Sequence, residues 1–199
     1  MKKLSTILMV AAITLMQACN GSNDKDSVDK ANDANDQKDT TNLSTNQRDT
    51  VANAMGVNDK VADFAVKAAN GGMLEVDLGK LAQQKAVNKK VKDFGQMMVT
   101  DHSKANDQLK ALAAQNNITL PDSVGNDNRS QINDLSKESG KDFDKDYIDK
   151  MVSDHKDDID LFEKAAKDSS YGAFQSFAVK TLPTLYKHLG AAKAIQKSR

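Results

Sequence analysis

The chain has 199 residues, with 28 basic and 28 acidic side chains, a formal net charge of zero and only two prolines. No basic cluster is interleaved with aromatics, which argues against nucleic acid as a partner. The length leaves room for one domain of ordinary size, and a composition rich in Ala, Lys, Asp and Leu predicts an all-α chain.

At the amino terminus Lys2 and Lys3 precede an apolar run from Leu4 to Met16. That run is too short for a permanent transmembrane helix and is flanked like a secretory signal. It ends Leu15-Met16-Gln17-Ala18-Cys19, with the only cysteine of the chain in last place. The pattern resembles the lipobox of bacterial lipoproteins, with Met16 where Leu is usual. Residues 1–18 are therefore expected to be a cleaved lipoprotein signal peptide and Cys19 a lipidated residue, its acyl chains forming the membrane anchor.

Residues 19–57 continue with Asn, Asp, Ser, Thr and Lys and scarcely any large apolar side chain. Such a segment buries too little surface to offset its ordering entropy, so it is predicted to be a disordered tether. Its beginning, Asn23-Asp24-Lys25-Asp26, resembles the sorting signals of some lipoproteins. The expected location is the cell envelope, lipid-anchored to the outer membrane, on its periplasmic or surface face.

Residues 58–199 carry four amphipathic segments whose apolar positions recur every three to four residues. They cover about 60–86, 88–116, 142–168 and 171–197, and predict two antiparallel helix pairs. The polar stretch from Asp122 to Gly140 is read as a crossover connection with a short helix near Gln131 to Lys137. Pro183 should kink the last segment or make it begin afresh, because it cannot donate to Val179. Gly71-Gly72, inside the first segment, predicts a close approach or a bulge.

Each inward stripe holds one residue foreign to an apolar core: Glu75, His102, His155 and His188. All three histidines of the chain thus fall at buried registers. Met98-Val99-Thr100-Asp101-His102 returns as Met151-Val152-Ser153-Asp154-His155, which points to two related helix pairs. A buried carboxylate is costly unless it is paired or binds a metal. Two readings stay open. The four residues could form a centre for one zinc, copper or iron ion, with Met98 and Met151 as added ligands and Asp101 and Asp154 as supporting carboxylates. They could equally form a buried hydrogen-bond network that fixes helix register and binds nothing.

From Asp63 through Leu189, the segments Gly71-Gly72-Met73-Leu74-Glu75, Met98-Val99-Thr100-Asp101-His102, Met151-Val152-Ser153-Asp154-His155 and Thr181-Leu182-Pro183-Thr184-Leu185 carry a family resemblance. Together they resemble a bacterial domain-of-unknown-function family labelled "predicted outer membrane protein". The resemblance implies a ferritin-like antiparallel four-helix bundle with no established activity. It does not extend to di-iron chemistry, which draws on Glu-x-x-His pairs: Val99, Val152 and Leu185 stand three residues before the three histidines. The expected role is a lipid-anchored binding or structural module rather than an enzyme, with another envelope protein as a candidate partner. The alternative is an envelope metalloprotein for metal handling or for redox and stress protection.

Overall fold

A computed structural model describes residues 25–38 and 57–198. Cys19 and the signal segment lie outside the described residues. The helices are α1 (Ser27–Asp36), α2 (Asp59–Lys85), α3 (Lys89–Gln115), α4 (Asn126–Lys137), α5 (Gly140–Lys167) and α6 (Ala173–Lys197), with a 3-10 turn at Ser169–Tyr171 between the last two. No helix among the described residues is long and apolar enough to cross a membrane.

The four long helices begin and end within two residues of the predicted segments, because local chemistry marks their ends. Asn58 caps α2 by accepting from Val61 N, and Asn88 caps α3 by accepting from Lys90 N, each satisfying a donor that the first helical turn leaves free. Asp144, buried on α5, accepts from Val87 N at 3.1 Å and Asn88 N at 2.8 Å. The turn between α2 and α3 is thereby fastened to the start of α5.

Helices α2 and α3 form one antiparallel pair and α5 and α6 the other, with α2 against α5 and α3 against α6. The Phe64–Phe162 ring contact at one end and the bonds to Asp144 at the other show that α2 and α5 also run antiparallel. Helix α4 carries the chain back along the bundle and is the predicted crossover, its helix starting at Asn126 rather than near Gln131. Pro183 lies inside an uninterrupted α6, so the helix does not begin afresh there. Val179, whose carbonyl loses its partner, is 53% exposed, which lets water take that place.

Close approach explains four glycines. A Cβ on Gly72 would stand 2.1 Å from Asn106 Oδ1 and one on Gly71 3.3 Å from Asp158 Oδ1, so the predicted Gly-Gly step admits neighbouring polar side chains. Sequence reading missed the second pair. Cβ atoms on Gly79 and Gly95 would lie 2.7 Å and 2.8 Å from each other's carbonyl oxygens, so these residues set the spacing of α2 and α3.

One expectation is corrected. Within the predicted tether, residues 27–36 form helix α1, with Ala31 and Asn35 buried against the bundle. Its order comes from matched polar groups rather than apolar area. Asn35 donates to Thr119 O at 2.9 Å and accepts from Thr119 N at 2.7 Å. Ser27 Oγ accepts from Asp122 N, and Lys38 Nζ donates to Asn117 O and Thr119 Oγ1. Asp26, read as part of a sorting signal, accepts from Asp29 N and Asn126 N and so serves the first turns of both α1 and α4.

Candidate metal centre

Two apolar clusters fill the bundle. One gathers Phe64, Leu109, Phe162, Phe174, Phe177 and Leu185; the other gathers Leu78, Phe94, Met98, Phe143, Tyr147 and Met151. Between them, one per long helix, lie Glu75, His102, His155 and His188, at 1%, 6%, 0% and 0% exposure. The four residues predicted to converge do so. Helical register alone aims them inward, and the apolar layers on either side remove them from water.

Glu75 Oε2 stands 2.8 Å from His102 Nδ1, and Oε1 stands 3.1 Å from His155 Nδ1. Neither contact is aligned as a hydrogen bond, so both Glu75 oxygens and His102 Nε2 are buried without such a partner. His155 Nδ1 lies 3.0 Å from Met151 O, and His188 Nε2 lies 2.8 Å from Asp101 Oδ2. His155 Nε2 and His188 Nδ1 face each other at 3.2 Å.

That last contact sets a chemical constraint. A carbonyl only accepts, so His155 Nδ1 carries the proton and Nε2 of the neutral ring presents a lone pair. A carboxylate also only accepts, so His188 Nε2 carries its proton and Nδ1 presents a lone pair. Two lone pairs therefore oppose each other inside the core, an arrangement that a cation lying against them would relieve. A proton is a poor candidate. Burial, reinforced by the neighbouring imidazoles, depresses the pKa of His155 to about 3. Burial likewise brings His188 to about 4 against the opposing pull of Asp101, and it lowers His102. All three rings are neutral near pH 7, the form in which imidazole binds metals. Each can offer one nitrogen such that the three atoms lie within 4.8 Å of one another.

Some site residues take other places than expected. The three atoms within reach of one another all come from the histidines, while Glu75 faces the Nδ1 side of His102 and His155. Asp101 supports His188 on α6 rather than its own neighbour His102. Asp154 pairs with Lys150 at 3.1 Å, while its Oδ2 is buried without a hydrogen-bond partner. Met98 and Met151 are fully buried in the second apolar cluster, and Met151 also contributes its carbonyl to His155.

Asp158 was not anticipated. It lies three residues after His155, on the same helix face and beside Glu75, which is the signal that could have revealed it. Burial first, then the adjacent charge of Glu75, raises its pKa well above the usual carboxylate range. Burial and the negative field of Asp154 likewise push Glu75 up to about 8. A small cavity of about 20 Å³, room for about one water, touches Glu75, His102 and Asp158.

Residues 45–195 match the family described as "Domain of unknown function (DUF4142)". The chain belongs to this family. The fold is similar to that of a DUF305 fragment from Deinococcus radiodurans, with a TM-score of 0.63 at 8% sequence identity, covering 71% of this chain and 98% of the fragment. At that identity the likeness concerns the fold alone. No curated protein matches the sequence.

Proposed function

We propose that this member of the DUF4142 family is a lipid-anchored protein of the bacterial cell envelope whose ferritin-like helical domain holds one transition-metal ion on His102, His155 and His188. The facing lone pairs of His155 and His188, 3.2 Å apart in a fully buried layer, carry this reading. Three neutral imidazoles suit zinc or copper better than the oxygen-rich sites of magnesium or calcium, and iron is the third candidate. When bound, such an ion would supply Lewis acidity or, for copper and iron, a redox couple. Glu75 would orient His102 and His155, and Asp101 would orient His188, leaving the remaining nitrogens free to bind. The fitting roles are metal handling and protection against redox stress.

The test uses the chain from residue 19 onward with Cys19→Ser, purified without chelator. About one zinc, copper or iron per chain by elemental analysis is expected. Occupancy below about a tenth that added metal does not restore would leave the histidine layer as a structural network. For the anchor, Cys19→Ser in the full-length protein should move it from the membrane pellet to the released fraction. Retention in the pellet after signal processing would refute Cys19 as the attachment point.

A further inference from the structure

Resting on the metal-centre reading, we infer that the acidic cleft between α2 and α5 is a cation-loading site through which the metal reaches the histidines. This cleft encloses about 170 Å³ and is lined by Asp154, Asp157, Asp158, Glu75, Gly71 and Asn128, among others. Glu75 and Asp158 also line the small cavity that reaches His102, so these two carboxyls form the wall common to the outer and inner spaces.

The acidic lining alone would be only a solvated helix face. What points to a ligand is Glu75: it is 1% exposed, it borders the cleft, and neither carboxyl oxygen makes an aligned hydrogen bond, with the Asp158 carboxyl beside it. A buried carboxyl without hydrogen-bond partners is costly and is relieved by a cation. Asp154 Oδ2, on the same wall, is buried and equally unpartnered. The nearby cations offset only part of the field: Lys67 pairs with Asp63, and Lys150 holds the other oxygen of Asp154. Room for passage comes from Gly71, since a Cβ there would stand 3.3 Å from Asp158 Oδ1.

The opposite side of the layer is less suited to a cation. There a second cleft bears Asp101, Lys104 and Lys180, and Asp101 is committed to His188. A cation drawn by Asp157 and Asp154 at the mouth would displace to solvent the protons that burial holds on the Asp158 and Glu75 carboxyls, and then pass to the imidazoles. Carboxylate oxygens bind a hydrated cation loosely, whereas imidazole nitrogens hold a transition metal more tightly. The order of ligands from the surface inward is thus an order of rising affinity.

Uptake kinetics of cobalt(II) or zinc by the metal-free chain from residue 19 onward, bearing Cys19→Ser, test this. The Asp154→Asn, Asp157→Asn double variant should load about tenfold more slowly than the parent, and added salt should slow the parent more than the variant. Equilibrium stoichiometry at the histidines should stay at one. Gly71→Ala, which narrows the cleft without changing charge, should slow loading while leaving the salt dependence intact. Unchanged rates in both variants, with the histidine centre still filling, would overturn the loading site and leave the metal centre standing. A parent chain that takes up no metal would overturn both.

Discussion

Two regions of this molecule are unusually polar for their positions, and they solve the same problem in opposite ways. Helix α1 is made almost wholly of Ser, Asp, Asn, Lys and Ala and stays ordered at the surface because its polar groups meet complementary backbone groups of the α3–α4 connection. The histidine layer is polar inside the core and leaves both Glu75 oxygens and one nitrogen, His102 Nε2, without hydrogen-bond partners. The first region is self-satisfied and needs nothing more. The second leaves polar atoms unmatched by the protein itself, the feature on which the proposed metal centre rests.

If that contrast holds, the largest effect should appear along the pH axis of the metal-free protein. The histidines have folded pKa values below their unfolded value, so their contribution is fully present above about pH 6.5 and is lost as pH falls toward 3. Glu75, raised to about 8, works the other way: its contribution is fully present below about pH 4.5 and is lost as pH rises through 8. Stability should therefore peak between these limbs and decline from pH 6.5 to 8, Glu75 contributing a slope of up to about 1.4 kcal/mol per pH unit and Asp158, raised in the same sense, adding to it. Chemical denaturation at stepped pH measures this. Glu75→Gln should flatten the alkaline limb, and an undiminished decline in that variant would show that Glu75 does not cause it.

Next in size, His155→Ala should cost the metal-free protein about 3 kcal/mol, since it opens a cavity at a fully buried position and strips Glu75 of a neighbour. The same change should weaken metal binding by at least about a hundredfold, read by chelator competition. A wild-type affinity in this variant would place the metal elsewhere. At α1, Asn35→Ala should cost about 1 to 2 kcal/mol by breaking the paired bonds to Thr119 without altering metal affinity. An unchanged unfolding transition would mean that α1 contributes no stability. Smallest, Asp26→Ala should cost roughly 1 kcal/mol through the first turns of α1 and α4, and faster amide exchange confined to those turns would confirm where the loss falls.

Much of the bundle was legible beforehand because helix period is a local property. The stripes through Phe64, Leu109, Ile148 and Leu185 mark out the long helices, and the same period put Glu75 and the three histidines inside, whereas the caps at Asn58 and Asn88 went unread. Helix α1 escaped notice because composition measures how much apolar surface a segment can bury. It does not measure whether another segment's amides match it. Asp158 and the Gly79–Gly95 contact were hidden for a related reason, since their meaning lies in what stands opposite them on another helix.

By itself, the sequence determined that this chain forms four long amphipathic helices and that one glutamate and three histidines occupy inward positions, because helical periodicity is fixed by neighbours along the chain. Only the tertiary structure decided which nitrogen of each ring faces a carboxyl or carbonyl and which remains free. Those choices depend on the relative height and rotation of separate helices, quantities set by packing across the core.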